Sequence, residues 1–464
     1  MSDPLVDPSL AAEVLHAALL RGGSFAELFV EERRSLGARL DDGRIEELDS
    51  GLDRGAGVRV VRGRSSGYAY SNRLDRGSLL EVGAAARASA TEGAQGSVAD
   101  LRVREPEVRH VAERPAGLVP PEDKVRWLRE ADEAARDVDA SVRQVVAGYG
   151  DSMQRVMIAG SDGRLVVEER PRIRLVVQVV AARDGVIQPG FHGPAMVAGA
   201  EYVDRYPPRE TAERAARQAV AMLDGIAAPA GEMPVVIGPG GGGVLFHEAC
   251  GHGLEADLVQ KESSIYRGRV GEQLASPLVS GVDDATVPNA WGSFSFDDEG
   301  WPSQRTVLFT GGVLEGYLYD RIRAESDDVP SSGNGRRQSY AHLPIPRMTN
   351  TYILQGVASP EQVVADTASG FYAKTLGGGQ VNPATGDFVF GVTEGYLIEG
   401  GAITRPVRGA NLVGNGTDIL RSIDAVADDF DVFYGTCGKE GQAAPVTNGS
   451  PTLRIARMTV GGTG

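Results

Sequence analysis

The chain is 464 residues long, 42% hydrophobic and only 6% aromatic, with 47 basic against 63 acidic side chains and a formal charge of −16. That length implies two or three domains with ample core, which excludes the disordered and disulfide-scaffold classes. An acidic field repels phosphate backbones and anionic lipid, so neither nucleic acid nor a membrane is expected as a main partner, although a local basic patch is compatible with it. No run of about 18 apolar residues occurs and MSDPLVDPSLAAEVLHAALL lacks a signal pattern. With Cys250 and Cys437 as the two cysteines, a cytoplasmic chain with free thiols is expected.

In chain order, an amphipathic helix is expected over Pro8 to Leu20. Short strands follow at Ala26 to Glu31, Leu36 to Leu40 and Ile45 to Leu48, the last two joined across the Asp41-Asp42-Gly43 turn. Two more are expected at Arg59 to Arg62 and Gly67 to Tyr70, then a helix over Ser78 to Ala90. A loop rich in Pro and charge, Glu105 to Pro121, leads into a third helix from Glu122 to Val138. Period-two runs cover Val142 to Tyr149, Arg155 to Ala159, Leu165 to Glu169 and Ile173 to Ala182, punctuated by Asp162-Gly163 and Asp184-Gly185 turns. A helix from Pro208 to Leu223 and the Ala/Pro-rich stretch Ile226 to Met233 mark a boundary. The fold class is therefore α+β, with a mixed α/β domain and antiparallel sheet over residues 1–228. Residues 229–464 read as a mostly-β, barrel-like domain carrying one chemically rich helix. Its strands include Arg305 to Phe309, Val313 to Tyr319, Thr351 to Gln355, Gly386 to Leu397 and Ala402 to Thr404.

The chemistry concentrates where the strand Val235 to Ile237 meets the loop Gly238 to Gly243 and a helix starting near Val244. The Lys-Ser/Thr of a P-loop is absent, so the glycines are read as admitting close approach of an extended chain or sheet. His247 and His252 flank Glu248: neutral imidazole is the commonest zinc ligand, and an adjacent Glu can take a proton from metal-bound water. Ligands four residues apart sit about 40° apart around a regular helix, but a five-residue gap gives about 140°. The helix must therefore bulge or end between the two histidines, and Gly251 and Gly253 supply the freedom. A catalytic zinc takes three protein ligands and leaves one position open. Cys437, in what reads as an exposed turn with a nearby Lys439 that would favour the thiolate, is the expected third; Cys250 either reaches the metal too or fills core space, and packing is favoured for it.

The segments LFHEACGHGLEAD, YGTCGKEGQ with PVTNGSPTLRI, FDDEG and GFYAKTLGGGQVNPATGDFVFGVTEGYLIEGG resemble the TldD branch of the TldD/PmbA metalloproteases, as does ELFVEERRSLGARLDDGRIEELDSG near the start. The likeness covers essentially the whole chain. It implies one zinc per chain on His247, His252 and Cys437, Glu248 as general base, and a small residue suffices where Cys250 stands. It further implies a cytoplasmic dimer, of identical chains or with a TldE/PmbA-type subunit, that cleaves short or unfolded peptides held as extended strands.

Beyond the ligands, Tyr434 and His342 are candidates for oxyanion support, and Glu255 and Asp257 either hold a ligand imidazole in its tautomer or lie on a solvated helix end. Asp297, Asp298 and Glu299 are read as a cation site or, more ordinarily, a solvated turn. The competing reading of function is a non-catalytic peptide-binding or regulatory subunit with a structural zinc, which would need Cys250 as fourth ligand.

Overall fold

The computed structural model describes residues 3–20, 22–89 and 96–462. It holds 23% helix and 44% strand, a mixed α/β fold whose C-terminal region contains a closed five-strand barrel. The expected end of the second helix at Ala90 lies outside the described residues; the helix itself runs Arg76–Ser89.

Alternating residues of the N-terminal region build a sheet in the order Ser65–Ser71, Arg44–Arg62, Phe25–Asp41, Val142–Gly160, Arg164–Arg183, Arg102–Val103. The four long strands exceed the short segments expected from periodicity. The stretch from Asp49 to Arg54 is solvent-exposed with no apolar alternation, yet it pairs residue by residue with Arg34 to Gly37 and its neighbours, so register with an established strand extends the ladder. Period two sorts this sheet into faces. Leu28, Val58 and Met157 pack under the helices Pro8–Leu19 and Arg76–Ser89, and Leu40, Ala147 and Leu175 under Pro121–Val138 and Pro208–Leu223. The opposite face presents Phe29, Val156, Ile158 and Val166, which close on Phe296 of the C-terminal region.

In that region Ser369–Val381 pairs with both Gly231–Ile237 and Asp387–Glu399, and this double pairing closes the barrel through Leu453–Gly462 and Ala410–Asn415. A second, six-stranded sheet runs Val313–Leu314, Arg305–Thr310, Gly281–Asp284, Asn350–Ile353, Gln442–Ser450, Asp431–Lys439, the last at its edge. Ile226–Ala227, in the expected boundary stretch, pairs with Ala402–Arg408 of the C-terminal sheet.

The acidic triplet is not a solvated turn. Asp297, Asp298 and Glu299 are buried where the two regions meet, because arginines distant in sequence enclose them. Arg59 bonds Glu299 at 2.6 Å, Arg170 bonds Asp298 at 2.6 Å, and Asp297 accepts the backbone N–H groups of Glu299, Trp301 and Gly335.

Candidate metal centre

A barrel strand, Gly231–Ile237, delivers the chain to a turn at Gly240 (φ 84°), and the helix opens at Gly241 rather than near Val244. A Cβ on Gly243 would lie 2.3 Å from the backbone nitrogen of Gly449, and one on Gly242 2.4 Å from Leu453 Cδ1. The extended chain that the glycines admit is thus the protein's own strand Gln442–Ser450. Val244, Leu245 and Phe246 anchor this short helix in the core between barrel and sheet.

From His247 to Gly251 the backbone widens into one π turn, with the His252 N–H bonded to the His247 carbonyl, and a 3₁₀ turn follows over His252–Leu254. An i to i+5 bond places residues five apart on one side of the axis, as the spacing requires. The two imidazole centroids lie 4.9 Å apart, nearly perpendicular.

Cys437 comes from the hairpin formed by Asp431–Lys439 and Gln442–Ser450 and is buried within the strand, not exposed on a turn. The turn is at Glu440 and Gly441, both with positive φ, a two-residue I′-like connection that makes Gly435 and Gly438 strand residues despite their type. Ligand atoms of His247, His252 and Cys437 lie within 4.8 Å of one another, with the Cys437 Sγ 3.4 Å from His252 Nε2. Glu248 Oε2 lies 3.9 Å from the same Nε2.

Behind the ligands, His252 Nδ1 meets Glu255 Oε2 at 3.0 Å, which leaves Nε2 toward the thiol. Lys439 spans Glu255 (3.1 Å), Asp257 (2.6 Å) and the Pro346 carbonyl (3.0 Å). Glu255 therefore orients an imidazole, whereas Asp257 holds the lysine; both are buried, so neither is a solvated helix end. Lys439 does not act on the thiol. Burial raises the Cys437 thiol, but the imidazoles of His247 and His252 outweigh it and bring the group down to about 4. Burial likewise opposes ionisation of Glu255, yet Lys439 and His252 hold it at about 2. Arg347, fully buried, donates to the carbonyls of Cys437 (2.5 Å) and Gln442 (3.2 Å), a support no local sequence signal reveals because it lies 90 residues away.

The remaining candidates stand apart. The Tyr434 side chain projects to the opposite side of its strand from Cys437, where its hydroxyl meets that of Tyr206 at 2.6 Å beside a cavity of about 450 Å³. His342 Nδ1 is 2.9 Å from Ser339 Oγ, and no contact among the described residues joins it to the imidazoles. Cys250 sits in the core with its thiol donating to the Phe246 carbonyl at 3.1 Å, its ionisation suppressed by burial.

The donor set fits a borderline-soft divalent ion: two imidazoles, one thiol favoured as thiolate, and a buried His247 Nδ1 with no hydrogen-bond partner. This centre on a closed barrel defines a class, and the comparisons give its family. Models described as PmbA/TldA metallopeptidase domain 1, central domain and C-terminal domain match residues 26–90, 114–223 and 230–462. A Haemophilus influenzae protein named Metalloprotease TldD homolog is 42% identical over 452 residues, 96% of this chain and 94% of its own. Among solved structures, TldE from Thermococcus kodakarensis superposes with a TM-score of 0.81 at 19% identity, over 98% of this chain and 100% of that one. A Thermotoga maritima protein described as a candidate modulator of a DNA gyrase does so at 0.81 and 22% identity, over 97% and 99%. The chain belongs to the PmbA/TldD metallopeptidase family. Among the described residues, no helix is long and apolar enough to cross a membrane.

Proposed function

We propose that the chain is a zinc-dependent peptidase of TldD type, holding one zinc on His247, His252 and Cys437 and acting on short or unfolded peptides. The observation that carries this reading is the convergence of those three ligand atoms with the Glu248 carboxylate beside them. Zinc bound there would supply Lewis acidity that polarises a peptide carbonyl and lowers the pKa of water to about 7. Glu248, 3.9 Å from His252 Nε2, would accept the proton of the attacking water and pass it to the leaving amine. Glu255 fixes the tautomer of His252, and Lys439 fixes Glu255.

The edge strand suits an extended substrate. In the hairpin, pairs alternate inward from the closing pair Lys439–Gln442, so the N–H and C=O groups of Tyr434, Thr436 and Gly438 point out of the sheet, and no described residue bonds to them. A peptide added along this edge would run past the Cys437 thiol. A structural zinc would need a fourth protein ligand, and Cys250 is spent on Phe246. The chain shares its fold with TldE, and a dimer, of two identical chains or with a TldE-type subunit, belongs to this proposal; the free thiols suit the cytoplasm.

Elemental analysis tests the centre. About one zinc per chain is expected, lost in His247→Ala, while Glu248→Gln keeps the metal and loses roughly 10²- to 10⁴-fold in peptide hydrolysis. Metal-free wild-type protein after reconstitution, or full activity in Glu248→Gln, would overturn the reading.

A further inference from the structure

The strand Arg164–Arg183 carries Arg164, Arg170, Arg172 and Arg174 on the face turned toward the C-terminal region. The first two are answered: Arg164 pairs with Asp162, and Arg170 with Glu168 and Asp298. Arg172 and Arg174 are not. No described carboxylate lies within 4.0 Å of either, each has a buried Nε without a partner, and the one side-chain bond of Arg172 is 3.4 Å to Gln154. Both residues keep partial solvent exposure, and a guanidinium drawn partly out of water gains from pairing with an anion. Burial, with the charges of Arg170, Arg336 and Arg33 beside it, draws the Arg172 pKa down to about 9 against the opposing pull of the Glu168 carboxylate.

The floor beside these two arginines is open. Ser152 and Gly150 stand opposite Arg172 and Arg174 on the neighbouring strand, followed by Gly148, and a Cβ on Gly150 or Gly148 would meet nothing within 4 Å. This shelf connects to the candidate catalytic strand. The guanidinium of Arg172 lies 5.9 Å over the Trp291 ring, and Trp291 Nε1 donates to the Gly435 carbonyl at 3.0 Å. Gly435 is two residues from Cys437, about 7 Å along a strand.

We propose that Arg172, backed by Arg174, is a carboxylate-binding subsite that selects peptides bearing an anionic group two or three residues from the scissile bond. This rests on the peptidase reading above. A carboxylate there would form charge-assisted bonds to a fork that has free donors, and would neutralise the local excess of positive charge inside a chain of net charge −16. Acidic side chains and a free C-terminus offer the same chemistry.

The test uses full-length Glu248→Gln protein loaded with zinc and fluorescein-labelled peptides in three matched forms: free C-terminus with an internal Glu, the same peptide amidated, and the same with Glu changed to Gln. Anisotropy titrations are expected to show at least about tenfold tighter binding of a carboxylate form over its neutral counterpart. The arm that loses affinity identifies the source. Adding Arg172→Gln should bring that ratio to about one with zinc content and melting temperature retained, and Arg172→Lys should restore part of it. An undiminished preference in Arg172→Gln overturns the subsite alone, whereas absence of binding by every peptide overturns it together with the peptidase reading. Loss of dimer on light scattering in Arg172→Gln, with the peptide ratio unchanged, would assign the arginines to a second copy of the chain and also overturn it.

Discussion

The buried acid–arginine cluster between the two regions and the buried His–Cys cluster are built to different rules. Around Asp297, Asp298 and Glu299 every acid meets an arginine or backbone N–H, and Arg337 closes the set by bonding Glu27 and the Asp298 carbonyl. Around His247, His252 and Cys437 the outer groups are paired as well, with Glu255 Oε1 and Asp257 Oδ2 left over, and the inner atoms converge with His247 Nδ1 unbonded. Burial and charge alone therefore do not mark a site. What separates the clusters is the kind of capacity left over: N–H groups of Arg59 and Arg337 in the first, which cannot bind a cation, and imidazole and thiol lone pairs aimed at one point in the second.

The sharpest contrast comes from removing one member of each. Arg170→Met would strand Glu168 and Asp298 in the interface and is expected to cost about 3–5 kcal/mol of unfolding free energy, read by urea titration, while zinc per folded chain stays constant. Glu255→Gln should do the reverse. Loss of the charged anchor on His252 weakens zinc binding by roughly 10- to 100-fold in a chelator competition, with a smaller change in stability.

A pH experiment separates them further. Asp320 borders the interface cluster, and burial and the Glu299 carboxylate push it up to about 7. An acid whose folded pKa exceeds its unfolded value of about 4 binds its proton more tightly in the native state, so its contribution falls as pH rises from about 4 through 7. Asp320→Asn keeps the cap on the Arg323 N–H and should flatten that decline in melting temperature between pH 5 and 8. If the two curves are parallel, the cluster is not proton-linked through this residue. The smallest effect is expected at Cys250, where Cys250→Ala should leave zinc retention unchanged and cost about 1 kcal/mol through lost packing. Metal loss in that variant would merge the two thiols into one closed centre.

The legible parts of the molecule were those governed by nearby residues. The spacing of His247 and His252 demanded a break in the helix, and a π turn supplies it. The Asp162-Gly163 and Asp184-Gly185 turns lie where the strands reverse. Distance in sequence explains what was missed. Asp298 and Glu299 take partners 128 and 240 residues away, so a run of acids looked solvated. Glycines at 435 and 438 suggested a turn because strand pairing with residues 446 and 443 is invisible locally. For the same reason Lys439 was set against the thiol beside it rather than against Glu255 and Asp257.

The thiol bonded to His252 is supplied 185 residues further along the chain. At synthesis rates of about 5–20 residues per second, some ten to forty seconds separate emergence of the two halves of this centre from the ribosome. Through that interval the nascent chain carries only the histidine pair, so the three-residue cluster cannot assemble until the last hairpin has folded back.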